Sequence, residues 1–300
     1  MTSREAYYSQ QQTFNVQMPS IYSVELASYC NYRCSFCPRG QYPDQFIDFK
    51  LVETIVERDL AGSRFIEFQL TGEPTFHKQF NELVALFKGK VLVGTSTNGS
   101  NVVRALTGLL MLDYITVSVD SVSRYEEVRL GGKSGLFFRN LQLLLEAKGD
   151  NPFPRIDLQL IEFDDFEMQK MLLEEWLYVR DLSSRCVIRT VPESFSTISG
   201  KAQMQPKREL CLNPWLSVVV QVDGDVVPCC LSFGKEIVYG NLNQQSLEEI
   251  WHTSPRLAQM RDEHMNNQLP SPCDRCYMRS PCLLHDELIW EAMKDRVLGG

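Results

Sequence analysis

The 300-residue chain has no run of 18 apolar residues, so it offers no membrane-spanning segment. Its opening Met-Thr-Ser-Arg-Glu-Ala-Tyr-Tyr-Ser-Gln lacks the apolar core of a secretory signal. Both absences point to a cytoplasmic protein. Positive charge is sparse: 30 Lys and Arg stand against 38 Asp and Glu, a formal net charge of −8. Lys207-Arg208 is an isolated basic pair and not part of a stripe. Neither nucleic acid nor a membrane is therefore expected as a partner. Histidine is scarce as well. The four residues are scattered and make neither a Ser-His-Asp arrangement nor a metal triad.

Cysteine is what the chain does have, ten in all. In a reducing cytosol such clustering argues for metal rather than disulfides. Cys30, Cys34 and Cys37 form a front group and Cys186 stands alone. Cys211, Cys229, Cys230, Cys273, Cys276 and Cys282 form a rear group.

Hydrophobic patterning gives the front two thirds a strand–helix rhythm. Strands are expected at 23–29, 65–70, 91–97, 114–119, 155–163 and 186–191. Helices are expected at 51–60, 79–87, 102–112, 136–147 and 166–180. Such alternation implies an α/β fold with a parallel sheet, and ligands bind at the carboxyl ends of its strands. Six repeats are too few to close an eight-fold barrel, so a partial (β/α)6 barrel over residues 21–191 is expected, behind a flexible lead-in over 1–20. The rhythm breaks near Pro192. Residues 192–300 are expected to form a second domain, with a β-hairpin around Asp223-Gly224. Ser246 should cap a helix, with Glu249 at capping-box spacing, and 283–298 should form a terminal helix.

The front segment, Cys30-Asn-Tyr-Arg-Cys34-Ser-Phe-Cys37, places three thiols on one loop after a strand. Three thiolates at this spacing suit three irons of a cubane and leave one iron open. A zinc site would want a fourth ligand and paired C-x2-C spacing. With Phe36 in the aromatic position, the segment resembles the C-x3-C-x-aromatic-C signature of the radical S-adenosylmethionine (SAM) superfamily. Thr71-Gly72-Glu73-Pro74 resembles that family's Gly-Gly-Glu-Pro motif, with Thr in place of the first Gly. Asn98-Gly99 and Ser118-Val119-Asp120 resemble its later strand ends, and Arg129 resembles an arginine that pairs with the SAM carboxylate.

The resemblance implies a [4Fe–4S] cluster on Cys30, Cys34 and Cys37, whose open iron is chelated by SAM. Phe36, Gly72, Glu73, Asn98, Ser118, Asp120 and Arg129 are the implied SAM contacts. Reductive cleavage of SAM would yield a 5′-deoxyadenosyl radical that abstracts hydrogen from substrate. An electron donor such as flavodoxin or ferredoxin is implied too.

The rear cysteines, with Gly224…Cys229 and Gly240-Asn241…Trp251, resemble the SPASM/twitch extension that carries auxiliary clusters. The full form has seven cysteines. Here the next C-x3-C position after Cys282 is Asp286, and no cysteine follows. Cys211, Cys229, Cys273 and Cys276 therefore resemble the shortened form of aminocyclitol dehydrogenases, with one auxiliary [4Fe–4S] cluster. Cys230 reads as a structural thiol, Cys282 as a substitute ligand or hydrogen donor, and Cys186 as a core thiol or hydrogen donor. Glu25, Gln69, Gln159, Glu162 and Arg189 are candidate substrate contacts. The expected activity is oxidation of a small sugar-like or aminocyclitol-like molecule. Peptide maturation, epimerisation and a non-enzymatic iron–sulfur or zinc protein are the alternatives.

Overall fold

The computed structural model describes residues 18–19, 21–34, 36–37, 43–60, 63, 65–192, 211, 213–230, 232 and 235–276. Cys282 and the expected helix at 283–298 lie outside the described residues. The described chain forms two compact units.

One unit holds residues 25–46 and 71–203. Its strands are β3 (Leu92–Thr97), β4 (Tyr114–Asp120), β5 (Arg155–Glu162) and β6 (Val187–Pro192). They pair in parallel in that order, with Thr97 opposite Val117, Leu158 opposite Val117 and Ile188 opposite Leu158. Strand β4 is buried along most of its length, as a parallel strand covered on both faces should be. The crossovers carry α2 (Phe80–Phe87), α3 (Val102–Met111), a short α4 (Tyr125–Val128), α5 (Ser134–Lys148) and α6 (Phe166–Val179). Helix α5 buries Phe137, Leu141, Leu144 and Leu145 at helical spacing. Gly149 ends it at φ +58, and its N–H returns to the carbonyls of Leu145 and Glu146.

The other unit holds residues 1–24, 47–70 and 204–300. Here β1 (Ile21–Val24) lies between β2 (Phe65–Phe68) and β7 (Ser217–Val220), parallel to both. The hairpin at Asp223-Gly224 joins β7 to β8 (Asp225–Val227), and β9 (Gly240–Asn241) adds antiparallel to β8. Gly224 sits at φ +87, a value its turn requires and side chains resist. The helices are α1 (Phe49–Thr54), α7 (Asn213–Leu216), α8 (Leu247–Thr253) and α9 (Pro255–Met265). Ser246 caps α8 by accepting the Glu249 N–H at 3.1 Å, and Ser254 caps α9 with Pro255 in first position.

The fold is α/β with parallel strands, and it is not a closed barrel. Three expected elements differ in detail. The first strand ends at Val24 rather than residue 29, and the chain beyond it pairs instead with the following loop, Ala27 bridging Phe46 and Ser28 N–H donating to the Gln45 carbonyl at 3.0 Å. The helix expected over 51–60 relaxes into a π turn, Ile55–Asp59, after Thr54. The last strand starts at Val187, so Cys186 precedes it. No helix among the described residues is long and apolar enough to cross a membrane.

Candidate functional site

The front cysteine loop is held by its own backbone and by the segment after β4. Cys37 N–H donates to the Cys34 carbonyl at 3.0 Å. Arg33 folds back, donating its guanidinium to the carbonyls of Cys30 at 2.7 Å and Tyr32 at 3.0 Å. Its N–H reaches the Leu130 carbonyl at 2.8 Å, and the hydroxyls of Tyr32 and Tyr125 meet at 3.4 Å. Asn98, just past β3, donates its amide to Asn31 at 3.0 Å and to Cys30 Sγ at 3.6 Å. Burial pushes the Cys30 thiol up to about 11, helped by the charge of Glu73 and by Cys34 and Cys37. Cys34 is raised by burial too, against the pull of Arg129. The three thiols are thus mutual neighbours. Binding metal as thiolates means displacing their protons.

The Thr71-Gly72-Glu73 turn packs directly on the approach to Cys30. A Cβ at Gly72 would fall 2.1 Å from the Ala27 carbonyl oxygen and 2.5 Å from that of Tyr29. Only glycine lets these backbones meet. Glu73 N–H donates to the Tyr29 carbonyl at 2.7 Å. The Glu73 carboxylate is buried and accepts from Thr75 N–H and Oγ, Thr97 Oγ and Asn98 N–H. Burial raises its pKa, and those hydrogen bonds work the other way. Glu73 therefore fixes strand ends with most of its lone pairs already committed.

At the end of β4 the register shifts between Ser118 and Asp120, and Asp120 adopts φ +61. Asp is one of the few non-glycine residues that take such an angle readily. Arg129 donates to Asp120 Oδ2 in a buried ion pair. Asp120 Oδ1 and Arg129 Nε are both buried with no hydrogen-bond partner. An unmade hydrogen bond of this kind costs about 1–3 kcal/mol. Burial raises the Asp120 carboxyl, Arg129 and a hydrogen bond from Gln159 work the other way, and the two unmet atoms fit a ligand that carries both a donor and an acceptor. The Arg129 guanidinium also lies 5.9 Å from the centre of the Phe36 ring. Ser118 is half-buried, opposite Gln159 in the β4–β5 register.

Two residues that sequence reasoning missed hold this region. Gln169 accepts the N–H groups of Val122 and Ser123 at 2.8 and 2.9 Å, fixing the chain after Asp120. Asn140 donates to the carbonyls of Gly99 and Ser100, both at 2.9 Å. Each is a buried polar residue in register with apolar positions on its helix, Gln169 with Leu173 and Leu177, and that pattern was the available signal.

Each candidate substrate contact already has a partner within the protein, and Arg189 and Gln159 pair with each other. Arg189 donates to Gln159 at 2.6 Å, Thr190 to Glu162 at 2.8 Å, Gln69 to Glu67 at 2.7 Å, and Glu25 accepts from Thr71. Cys186 lies at the amino end of β6, the wrong end for a radical site at strand carboxyl ends. Burial pushes its thiol up to about 12.

In the other unit, Cys211, Cys229, Cys230, Cys273 and Cys276 are all half-buried. Burial pushes Cys273 up to about 12, reinforced by Cys229, Cys211 and Cys276 in that order. Those four thiols are therefore neighbours. Cys276 N–H donates to the Cys273 carbonyl at 3.2 Å, and Ser232 N–H to that of Cys229 at 3.0 Å.

Comparison with known proteins agrees with this geometry. The model for the radical SAM superfamily matches residues 24–158, and the model for the SPASM iron–sulfur cluster-binding domain matches 211–277. The chain belongs to the radical SAM superfamily. Its cofactors are accordingly SAM, a SAM-binding [4Fe–4S] cluster and an auxiliary iron–sulfur cluster. The orphaned atoms of Asp120 and Arg129 and the two thiol groups fit them.

Among radical SAM relatives, the chain is 24% identical to the tungsten-containing aldehyde ferredoxin oxidoreductase cofactor-modifying protein of Pyrococcus furiosus, over 86% of this chain and 87% of that one. It is 25% identical to the SAM-dependent 2-deoxy-scyllo-inosamine dehydrogenase of Niallia circulans, over 78% and 82%. Its fold is similar to that of SuiB from Streptococcus suis, solved bound to the precursor peptide SuiA. That match has a TM-score of 0.66 at 13% identity, over 86% of this chain and 70% of that one.

Proposed function

We propose that this chain is an oxidoreductase that takes hydrogen from a small hydroxyl- or amine-bearing ring, of the sugar or aminocyclitol kind. The observation that carries this reading is the rear set of four neighbouring thiols, Cys211, Cys229, Cys273 and Cys276. Four thiolates close one cubane completely and leave no iron open to bind substrate, which suits a cluster that serves as an electron acceptor. The likeness to the inosamine dehydrogenase, over most of both chains, supports the same substrate class.

When bound, SAM and the two clusters supply one-electron chemistry: cleavage of the sulfonium C–S bond to a hydrogen-abstracting radical, and an electron sink. The protein's own part is positioning. Cys30, Cys34 and Cys37 hold the front cluster. Arg129 Nε offers a donor suited to the SAM carboxylate, and Asp120 Oδ1 an acceptor suited to its amine. Gly72 brings backbone close to the cysteine loop, and Glu73 locks the turn that does so.

The test is anaerobic turnover with dithionite, SAM and a panel of aminocyclitols, 2-deoxy-scyllo-inosamine among them. Substrate-dependent 5′-deoxyadenosine, with product two hydrogens lighter, supports the proposal. Solvent deuterium incorporated at an otherwise unchanged carbon would instead make it an epimerase. The fold likeness to peptide-bound SuiB supports a second reading, peptide maturation. Turnover with peptides alone would favour that one.

A further inference from the structure

Tyr239 precedes β9, and its main chain is fixed on both sides. Its N–H donates to the Val226 carbonyl at 2.7 Å, and its carbonyl accepts from Ser254 Oγ at 2.6 Å. The residue is 5% exposed, and its hydroxyl is buried without a hydrogen-bond partner. Burial raises the phenol well above its ordinary range. Cys229, Cys273 and Cys211 raise it further, so three of the four rear thiols lie near the ring. Two cations also lie near the phenol: Arg256 donates to Glu263 at 3.1 Å, and Arg261 donates to the Pro214 carbonyl at 3.0 Å.

A buried, unpaired phenol hydroxyl is costly, and phenylalanine would fill the same space without that cost. Retaining the hydroxyl calls for an acceptor, and the acceptors that the auxiliary cluster brings to this spot are sulfurs. We propose that Tyr239 donates a hydrogen bond to a sulfur of the auxiliary cluster, making it a positioning residue that sets that cluster's reduction potential. Hydrogen bonds to cluster sulfurs favour the reduced, more negative state. The inference rests on Cys211, Cys229, Cys273 and Cys276 being the ligands. Loss of about four irons in Cys273→Ala tests that assignment separately.

The experiment is a redox titration, followed by electron paramagnetic resonance, of full-length holoprotein and its Tyr239→Phe variant. The front cluster is identified by the change that SAM makes to its signal. The expected result is unchanged iron content and a lower auxiliary potential. At fixed poise the reduced-to-oxidised ratio should fall about tenfold, equivalent to about 59 mV for a one-electron couple. An unchanged auxiliary potential at full iron content overturns the proposal. If Tyr239→Phe fails to retain the rear iron, wild-type chain grown with 3-fluorotyrosine, a stronger donor, decides. A raised auxiliary potential supports the hydrogen bond, and an unmoved one overturns it.

Discussion

The Asn98 backbone N–H donates to Glu73 Oε2 at 2.7 Å, tying the Thr71–Glu73 turn to the end of β3. The same Asn98 turns its side-chain amide to Cys30. One residue thus links the acidic turn and the thiol loop. Glu73→Gln would set an amide NH2 among groups that are mostly donors. The expected outcome is a loss of about 1–3 kcal/mol of stability, with SAM binding weakened about tenfold or more. Denaturant unfolding and SAM titration of the reconstituted protein measure the two effects.

The Asp120–Arg129 pair separates folding from binding. Asp120→Asn leaves a buried guanidinium without its counter-charge and should cost about 3–5 kcal/mol. Adding Arg129→Met to Asp120→Asn should recover much of that stability, because the buried charge is gone and Asn tolerates the φ of +61 at this position. SAM binding should stay lost in the double variant. Recovery of binding along with stability would show that the pair is only structural.

Cys34→Ala should remove one cluster and spare the other. Iron content is expected to fall from about eight to about four per chain, with absorption near 400 nm roughly halved. Formation of 5′-deoxyadenosine should cease. Retention of that product would displace the front assignment.

Cys186 gives a prediction tied to pH. With its thiol pushed up to about 12, about one molecule in ten thousand is ionised at pH 8. The thiolate is the reactive form, so alkylation should rise about tenfold per pH unit from 8 to 11. Mass spectrometry of iodoacetamide-treated protein reads this directly. Cys186→Ser should leave 5′-deoxyadenosine formation unchanged.

Much of the fold was legible because its signals are local. The period-two and helical patterns placed β3 through β6 within a residue or two. Asp223-Gly224 announced the β7–β8 turn, and Ser246 with Glu249 announced α8. Helix α9 escaped because its buried face is narrow, only Leu257, Met260 and His264 on an otherwise polar segment. Helix α4 is a single turn, too short to show a period. At the site, spacing marked the cysteines and the Gly72-Glu73 turn. Spacing could not show that most of Glu73's lone pairs are already committed, or that Asp120 and Arg129 each keep one unmet hydrogen-bonding atom. Those facts depend on how loops and strand ends from separate elements come together.

The pairing of β1 with β7 has a consequence for how the chain can be divided. Residues Ile21–Val24 lie in register with Ser217–Val220, and nearly two hundred residues intervene. Asp59 of the early segment likewise accepts the N–H of Leu247 at the start of α8. Cutting the chain near residue 192 would therefore not release an intact catalytic half and a detachable accessory. It would strip β1 of a neighbour and expose the unpaired edge of an apolar strand, the kind of surface that draws other chains into aggregates. Gene-level shuffling of the cluster-binding part would meet the same obstacle, because that part supplies β7, the neighbour of β1.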